Sequence, residues 1–397
     1  MVTTQLNMVR LGDKSLILRG GSPRPIQNYI TTAPDGINWI KIGDVSISDK
    51  YIRKTNEKIK PSGVAMSRVV NPGDLILSNS MSFGRPYILQ ISGCIHDGWL
   101  VIQNYQDTFE PEYLLYALGS EFVKKQYIAM AAGSSVQNLN KEKVSDVVLW
   151  APQKTEQKQI LQALSDIDSL IDNTEKLIEK KKTIKQGVMQ ELLTGKRRLP
   201  GFAGEWENMT IGQHGYLQKG SINPQTQPND YFTEYSMPAF DDGQVPSQTL
   251  GKDMHSNRTV IRGKTLLFNK LNVRQQRIWL IDQCENNAIC SAEFLPYCST
   301  EIDLKLLSQI LYTDKVTEDF IGMSTGTSNS QKRITPKAFL DYTIYLPKDM
   351  EEQKALSKVF DDMDKEIEAL EIQLEKYHSL KIGMMSKLLT GEIRLVE

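Results

Sequence analysis

Basic and amide side chains gather in three pairs of segments, and their types suit contacts with nucleic acid. Lysine and arginine pair with phosphates, while arginine and glutamine can also hydrogen-bond the edges of bases. The richest segment runs from Lys270 to Arg277 and has a shorter counterpart from Ser80 to Pro86. A second pair, "GSSVQNLNK" at 133–141 and "GTSNSQKRI" at 326–334, adds small hydroxyls and further amides. The third pair is the Gly-rich stretch "RGGSPRP" near the start of the chain and the segment around Lys219.

Most candidate DNA-contacting side chains lie in these segments, between runs with strand-like patterns. The candidates are Arg19, Arg24, Lys41, Arg85, Gln137, Lys219, Lys270, Arg274, Gln275, Arg277, Gln331, Lys332 and Arg333. Lys41 differs from the others, because it falls within a strand-like run and could simply face solvent. Every candidate also has an alternative interpretation as an ordinary solvated residue with no binding role.

A run of lysines from Lys180 to Lys182, with Lys185, is basic too, but it falls inside a helical pattern. Glu175 and Glu179 stand at spacings that allow ion pairs along one helix face. A solvated helix face is therefore the favoured interpretation, and a contact with DNA is the alternative.

Motifs of catalysis and metal binding are missing from the sequence. No Asn/Asp-Pro-Pro-Tyr/Phe methylase motif occurs, and a phosphate loop fails at Gly263-Lys264-Thr265, because position 258 is arginine where the earlier glycine is needed. The cysteines lack the paired spacing of a zinc site and are expected to be buried, reduced thiols. They are Cys94, Cys284, Cys290 and Cys298. The sequence thus predicts no catalytic residue and no metal site.

Two long helical segments repeat each other along the chain. Glu156-Gln157-Lys158 recurs as Glu352-Gln353-Lys354, and the offset of 196 residues holds without a gap as far as Leu199 and Leu395. In both copies apolar residues alternate at steps of three and four, which is the spacing of a coiled-coil seam. The glycines of the two Leu-Leu-Thr-Gly motifs stand where a helix commonly ends in a left-handed residue. Two helices that merely filled separate cores would not need so long a match.

The two seams are mainly apolar. The first comprises Ile160, Leu164, Ile167, Ile171, Ile178, Val188 and Leu192, with Thr174, Lys181 and Lys185 at the remaining steps. The second comprises Leu356, Phe360, Met363, Ile367, Leu370, Leu374, Met384 and Leu388, with Tyr377 and Lys381 at the remaining steps. Leu170, Leu177 and Ile184 widen the first stripe, so that helix could pack against more than one neighbour.

The repeat divides the chain into a first domain at 1–152, a central helix at 153–198, a second domain at 199–348 and a C-terminal helix at 349–397. The domains share several similar segments: "NPGDLILSN" resembles "IRGKTLLFN", and "VSDVVLWAP" resembles "FLDYTIYLP". The sequences between these segments differ. Glycine-bounded, β-branched runs, including Trp39 to Asp44, predict strands with short helices among them. The predicted fold class is therefore α+β.

An antiparallel coiled coil of the two helices accounts for this arrangement. It sends two unlike domains to opposite ends of a pseudo-two-fold structure, whereas a parallel pair would crowd them together. A helix of about 35 residues is about 50 Å long and makes a rigid spacer. DNA half-sites on one duplex face lie about 34–36 Å apart, or multiples of that distance. The pattern thus favours two domains that read a split DNA target, and the repeated helix surface favours two copies of one partner.

Composition limits the alternatives. A chain of 397 residues exceeds one typical hydrophobic core, and no apolar run approaches the roughly 18 residues of a membrane span. The start shows no apolar segment behind a basic one, which favours a cytoplasmic protein. The net charge of −1 means that any DNA-binding claim depends on the local distribution of charge.

The ordered motifs closely resemble the specificity subunit of type I restriction-modification systems, over essentially the whole chain. The resemblance rests on the two EQK helix starts, the two LLTG helix ends, the "LPGF" junction followed by Trp206, and the stretches "RGGSPRP" and "WIKIGD". It implies that the globular halves are target recognition domains, each of which reads one half of a split DNA sequence. It also implies that the paired helices set the spacing and seat two methyltransferase subunits.

The same resemblance implies a non-catalytic chain whose partners hold the cofactors. The methyltransferase would use S-adenosylmethionine to methylate adenine at N6, and separate restriction subunits would use ATP and Mg²⁺ to translocate and cut DNA. The alternative from another class is a scaffold that displays two protein-binding domains and has no role in DNA. A steep loss of affinity with salt would distinguish DNA binding from such a scaffold. A self-contained nuclease or methylase is disfavoured by the missing motifs.

Overall fold

The computed structural model describes residues 6–46, 49–79, 84–131, 139–326 and 331–395. The chain forms two compact units, of which the first comprises 1–176 and 372–397 and the second comprises 177–371. Each unit contains one sheet-rich domain together with part of each long helix, so the units cut across the segments that the repeat defines.

The first domain precedes the central helix α4. Its strands are β1 (Met8–Arg10), β2 (Leu16–Arg19), β3 (Ile30–Thr31), β4 (Ile37–Ile40), β5 (Tyr51–Ile52), β6 (Glu57–Ile59), β7 (Arg68–Val70), β8 (Leu75–Ser78), β9 (Pro86–Leu89), β10 (Gly93–Ile95), β11 (Trp99–Gln103) and β12 (Val148–Trp150). Its helices are α1 (Pro111–Leu118), α2 (Glu121–Ala131) and α3 (Lys141–Ser145), and α4 is Lys154–Leu193.

The second domain lies between α4 and the C-terminal helix α9. Its strands are β13 (Trp206–Thr210), β14 (Tyr216–Leu217), β15 (Ser221–Ile222), β16 (Tyr231–Tyr235), β17 (Ser247–Leu250), β18 (Arg258–Val260), β19 (Thr265–Asn269), β20 (Ile278–Ile281), β21 (Ala288–Ser291), β22 (Phe294–Cys298) and β23 (Thr343–Pro347). Its helices are α5 (Met237–Asp241), α6 (Leu304–Leu311), α7 (Asp314–Met323) and α8 (Pro336–Leu340), and α9 is Met350–Leu388.

In the first unit the strands form two five-stranded sheets, in the orders β3-β6-β4-β10-β7 and β2-β11-β8-β9-β5, and the pair β1-β12. Successive side chains of β8 point to opposite faces, as in any strand. Leu75 and Leu77 accordingly belong to the core that includes α1 and α2, while Ile76 packs in the core with Ile40 and Ile95 of the other sheet. A strand buried on both faces explains the continuous apolar text of "LILS".

The second unit repeats this layering. Its strands form the sheets β14-β22-β19-β20 and β15-β18-β21-β16-β17 and the pair β13-β23. Leu266 and Phe268 of β19 face the core that includes α6 and α7, and Leu267 faces the core that includes Trp279 and Cys290. The similar segments of the two domains thus belong to a shared two-sheet architecture, and the predicted α+β class is confirmed.

One predicted strand is wrong in its extent. The run from Trp39 to Asp44 is a strand only as far as Ile40, and Ile42–Asp44 forms a 3-10 helix. The Asp44 carboxylate accepts a hydrogen bond from the Lys41 backbone N–H at 2.8 Å. Such a local side-chain contact competes with strand pairing, so Lys41 lies beyond the strand.

Both long helices end two or three residues before the glycines of the LLTG motifs. Gly195 and Gly391 have φ of +69° and +75°, the left-handed conformation in which a side chain costs about 1 kcal/mol or more. The helices therefore stop at Leu193 and Leu388, and the central one is shorter than the segment 153–198.

Within each unit the long helices run antiparallel. In the first unit Lys381 Nζ lies 2.6 Å from Asp168 Oδ1, and Arg394 pairs with Glu156, so positions late in the C-terminal segment meet positions early in α4. In the second unit Lys185 pairs with Asp364 in the same sense. The predicted antiparallel pairing is confirmed by these contacts.

The lysine run is therefore not paired as the sequence suggested. Lys181 Nζ lies 2.6 Å from Glu366 Oε1, and Lys182 Nζ lies 2.7 Å from Glu371 Oε1. These ion pairs join α4 to α9 in the second unit, whereas the expected partners were Glu175 and Glu179 on α4 itself.

The predicted seam residues avoid solvent. The buried ones are Ile160, Leu164, Ile167, Ile171, Ile178, Leu192, Leu356, Phe360, Ile367 and Leu388, and the half-buried ones are Val188, Met363, Leu370, Leu374 and Met384. Leu170, Leu177 and Ile184, which widen the stripe, are 40–45% exposed.

The glutamine of each EQK motif holds its helix start to the domain. The Gln157 side chain is fully buried. It accepts from the Glu110 backbone N–H at 2.8 Å and donates to the carbonyls of Thr108 and Pro152. Gln353 repeats the three contacts, with Asp303, Glu301 and Pro347. Glu110 and Asp303 are the N-cap residues of α1 and α6. The motif therefore connects α4 to α1 in the first unit and α9 to α6 in the second.

Candidate nucleic-acid interface

Two of the predicted basic segments of the second domain meet directly. The Asn272 N–H donates to the Lys332 carbonyl at 2.8 Å, and the Ile334 N–H donates to the Lys270 carbonyl at 3.0 Å. Arg274 and Gln275 are exposed on the same pair of loops, as is Gln331. We call the segments 270–277 and 331–334 the second-domain loop pair. It gathers cationic and amide groups from positions about 60 residues apart in the sequence.

Left-handed residues shape the loop between β19 and β20. The 3-10 helix Val273–Gln275 is flanked by Asn272 and Gln276, whose φ values are 51° and 45°. A non-glycine residue adopts this conformation only where its surroundings impose it. Gln276 Nε2 donates to the Tyr312 carbonyl at 3.0 Å and to Thr317 Oγ1 at 2.7 Å. The contacts of Gln276 with Tyr312 and Thr317 therefore fix the loop, and its exposed residues have a defined conformation.

Two arginines of the loop pair are held by carboxylates. Arg277 makes two hydrogen bonds of 2.8 and 2.7 Å to Asp241, and only 14% of its side chain is exposed. The bond from Arg277 lowers the pKa of the Asp241 carboxyl. Arg333 donates to both oxygens of Glu293 at 3.2 and 3.1 Å. These guanidinium groups brace the loops, and their charge is partly neutralised.

Other cations of this domain have no such partner. Lys270, Arg274 and Lys332 form no ion pair with any residue in the described part of the chain, and the same holds for Lys219. Lys219 is exposed, but no contact of the described residues ties it to the loop pair. The structure thus brings together two of the three predicted segments of the second domain.

The corresponding segments of the first domain also meet. The Leu139 N–H donates to the Asn79 carbonyl at 3.1 Å, which places the residue before the segment 80–86 beside Leu139 of the segment 133–141. Arg85 is half-buried. Gln137 and residues 80–83 lie outside the described residues.

Asp97 links the Gly-rich stretch to this region. Its carboxylate accepts from Ser22 Oγ and Arg24 Nη2, each at 2.9 Å. Its carbonyl accepts from Arg19 Nε at 3.3 Å and from Asn79 Nδ2 at 2.8 Å. Burial alone would raise the pKa of Asp97, but the hydrogen bonds from Ser22 and Arg24 outweigh burial and lower it. The Gly-rich stretch is therefore linked through Asp97 to Asn79, which precedes the segment 80–86 and contacts Leu139.

Beside this cluster lies an open cavity of about 860 Å³. Arg24 and Asp97 line one side, and the ion pair between Lys41 and Glu57 lines another. His96, also at the cavity, has a pKa below its ordinary value because it is buried. Lys41 therefore does not simply face solvent, because its ammonium group pairs with the Glu57 carboxylate.

Sequence reasoning missed the acidic members of the site. Asp97, Asp241 and Glu293 fix the orientation of predicted arginines, but each lies far from its partner along the chain. A single acidic residue in a turn or a short helix carries no sequence signal for such a role.

Metal and membrane features were searched among the described residues only. There, no group of three or more His, Cys, Asp or Glu side chains could hold a metal ion, and no helix is long and apolar enough to cross a membrane. All four cysteines are free thiols; Cys94, Cys290 and Cys298 are buried as expected, while Cys284 is only partly buried.

Comparison with known proteins finds a matching family model and similar sequences. Residues 6–183 match the family model of the type I restriction modification DNA specificity domain. The type I restriction enzyme MjaVIII specificity subunit of Methanocaldococcus jannaschii is 23% identical, over 98% of this chain and 93% of its own length. The putative MjaX specificity subunit of the same organism is 26% identical, over 94% of this chain and 87% of its own length.

Solved structures share the fold. A chain from a type I R-M system, described for its complex assembly and conformational transition, aligns with a TM-score of 0.67 at 16% identity and covers 99% of this chain and 100% of that one. The HsdS subunit from Thermoanaerobacter tengcongensis aligns with a TM-score of 0.59 at 16% identity and covers 98% of both chains.

Proposed function

We propose that this chain, which belongs to the family of type I restriction-modification specificity subunits, binds a bipartite DNA sequence, with one half-site read by each domain. The observation that carries the proposal is the recurrence of one loop arrangement in two domains with different loop residues. In each domain the segment after β8 or β19 is hydrogen-bonded to the segment before α3 or α8. The same loop arrangement with different side chains is what we expect of two domains that recognise different DNA sequences.

The unpaired cations and amides are the proposed contacts in the second domain. Arg274 and Gln275 are exposed on a loop of fixed shape, and such groups hydrogen-bond guanine or adenine edges in the major groove. Lys270 and Lys332 on the same loops are suited to phosphates. Arg277 and Arg333 keep their carboxylate partners and hold the loops in place.

The first domain offers a similar division. Arg19 donates only to a carbonyl group among its described contacts, so its charge is available to a phosphate. Arg24 and Lys41 are each paired with a carboxylate and therefore serve to shape the surface. We assign Arg85 and Gln137 to base or phosphate contacts on the strength of their loop positions alone.

Catalysis is assigned to partner subunits. We propose that the helices seat two methyltransferase subunits, which bind S-adenosylmethionine and methylate adenine, and through them the restriction subunits that use ATP and Mg²⁺. The support is the long helix repeat, since like surfaces bind like partners. This chain would contribute sequence choice and no reacting group.

Reconstitution tests the proposal. The purified chain is mixed with a candidate methyltransferase subunit from the same organism and with S-adenosylmethionine, and methylated adenines are mapped across a bacterial genome used as substrate. We expect modification at a split motif only when both proteins are present. Modification of the same motif by the methyltransferase alone, or a contiguous motif, would refute the proposal.

A further inference from the structure

Each long helix begins with a buried carboxylate that meets an arginine from the far end of the other repeat copy. Glu156 is 1% exposed, and its two oxygens accept from Arg394 at 2.6 and 2.7 Å. Glu352 is fully buried, and its two oxygens accept from Arg198 at 2.7 Å each. We call these the first clasp and the second clasp; the first lies within the first unit and the second within the second unit.

A tryptophan completes each clasp. The guanidinium of Arg394 lies 5.3 Å from the ring centre of Trp150, and that of Arg198 lies 5.4 Å from the ring centre of Trp206. A planar guanidinium over an aromatic face is favourable, and lysine cannot reproduce both that stacking and the forked bond to a carboxylate. Each arginine is thus held on two sides.

The tryptophans are not related by the repeat. Trp150 lies on β12, whereas Trp206 lies on β13, which pairs with β23 as β1 pairs with β12. The same geometry is therefore built with the ring on opposite strands of the two corresponding sheets. Inheritance of a duplicated sequence does not explain this placement, so the geometry itself is what the two units share.

Each clasp joins three parts of its unit. In the first unit these are strand β12 of the domain, the start of α4 and the segment after α9. In the second unit they are strand β13, the start of α9 and the segment after α4. The neighbouring Gln157 and Gln353 fasten the same helix starts to α1 and α6. The angle between a domain and its helix ends is therefore defined at the clasp.

Stability alone does not account for such a contact. The two carboxylates are buried, while the side chains of Arg198 and Arg394 are 29% and 33% exposed. Burying a carboxylate is costly, and a largely buried ion pair is often no more stabilising than apolar residues of similar volume. A forked guanidinium–carboxylate pair instead permits one orientation and excludes others. Two such pairs at corresponding places therefore restrict the orientation of the helix ends in both units.

We infer that the two clasps determine the spacer length that the protein accepts between its half-sites, and that Glu156, Arg394, Glu352 and Arg198 are positioning residues for DNA recognition. The inference rests on the proposed function. A domain that tilts on its helix ends presents its loops at a different distance along the duplex. The clasps therefore act on the distance between half-sites and leave the base contacts of each domain unchanged.

The test uses the complete chain in complex with its methyltransferase and a set of duplexes with the native half-sites. The spacer is native, or one or two base pairs longer or shorter. For Glu352→Gln and Arg198→Gln we expect the preference for the native spacer to fall about tenfold, equivalent to about 1.4 kcal/mol, while methylation of duplexes with altered half-site bases stays low. Glu351→Gln and Arg197→Gln are the matched controls, since both side chains are exposed and sit beside the clasp.

Folding and function are separated by two further measurements. Arg198→Lys keeps the charge and loses the fork, so it should fold and still broaden the spacer range if the Gln variants do not fold. A variant that binds its methyltransferase with the wild-type spacer preference would overturn the inference, as would a loss of base preference at one half-site without a change in spacer range. If the wild-type complex methylates no split target, the proposed function fails instead.

Discussion

At the scale of single residues, Arg274 and Arg277 show how neighbours on one loop take different roles. Arg277 is 14% exposed and gives both of its bonds to Asp241, while Arg274 is exposed and has no ion pair with a described residue. A guanidinium that already binds a carboxylate has little to offer a base. Substitution of Arg277 should therefore affect the stability of the loop, and substitution of Arg274 should affect DNA binding.

Arg274→Ala is predicted to weaken binding of the second half-site by about 1–3 kcal/mol if it contacts a base, with no change in stability. Arg277→Ala should instead lower the free energy of unfolding by about 1 kcal/mol, because it removes a forked ion pair whose carboxylate is half-exposed. Fluorescence anisotropy with duplexes that carry either half-site, and urea unfolding of each variant, measure the two effects. Equal losses at both half-sites for Arg274→Ala would contradict the assignment of one reader to each domain.

The sequence could predict the cations of these loops but not their partners. Amide-rich, basic loops between apolar strands are local patterns, and they led directly to Arg274 and Gln275. Asp241 precedes Arg277 by 36 residues, and Asp97 follows Arg24 by 73. Such pairs form only when the fold brings together segments that are distant in sequence. The sequence alone therefore does not show which cations are neutralised.

At the scale of elements, one aspartate connects the central helix to two neighbours. Asp168 on α4 accepts hydrogen bonds from Lys381 on α9 and from Lys50 and Tyr116 of the first domain. Burial alone would raise its pKa, but these three bonds outweigh burial and lower it. The carboxylate therefore stabilises the first unit in its ionised form.

Asp168→Asn is predicted to lower the free energy of unfolding by about 2 kcal/mol at pH 7. A folded pKa below the unfolded value gives stability that is complete above the ordinary carboxyl pKa of about 4 and is lost as the pH falls through the folded pKa. The difference between wild type and variant should thus be constant from pH 7 to about pH 5 and shrink below about pH 4. Urea unfolding across this range measures it.

Asp166→Asn is the matched control, because Asp166 is exposed on the same helix and bonds only to Gln162 among its described contacts. It should change the stability by no more than about 0.5 kcal/mol. A difference for Asp168→Asn that persists unchanged at pH 3 would show that packing, and not ionisation, is responsible.

The apolar seam can be tested in the same way. Leu388 on α9 is 5% exposed and packs in the first core, whereas Leu380 is 53% exposed. Leu388→Ala should cost about 2–4 kcal/mol of unfolding free energy, because a cavity remains, and Leu380→Ala should cost less than about 0.5 kcal/mol. Thermal or urea unfolding provides the comparison, and similar losses from both variants would contradict the seam.

Periodicity made the long helices predictable, and local caps limited the prediction of strands. Steps of three and four located the seam, and the LLTG glycines located the helix ends. The run from Trp39 to Asp44 looked like a strand because it is apolar and β-branched, yet Asp44 turns the chain after Ile40. Competition between a side chain and a backbone partner is decided by geometry that composition does not express.

At the scale of the whole molecule, the repeat is more than a pair of like helices. The start of each copy is bound to the end of the other, through Glu156 with Arg394 and Glu352 with Arg198. Each unit is therefore complete only with a contribution from both copies. The gapless match and the antiparallel pairing could be predicted from the sequence, but the glutamate–arginine pairs that bind each start to the other end could not.

The charge balance divides nine of the ten candidate cations, all except Arg85, into two sets. Four are paired with carboxylates: Arg24, Lys41, Arg277 and Arg333. Five have no ion pair with any residue that the structure describes: Arg19, Lys219, Lys270, Arg274 and Lys332. With a net charge of −1, the chain as a whole offers DNA no general attraction, so we assign the phosphate contacts to the cations of the second set other than Arg274.

The salt dependence of binding to the split target follows from this division. Each neutralised phosphate contributes about −0.9 to the slope of log K against log salt concentration. Arg274 is assigned to a base, so the other four cations of the second set predict a slope of about −3 to −4. Participation of the four paired cations as well would bring the slope to about −7. Anisotropy titrations from low to moderate salt measure it, and Arg274→Ala should leave the slope unchanged, whereas a slope reduced by about 1 would mean that Arg274 binds a phosphate. A slope near zero would favour a protein-binding scaffold over a reader of DNA.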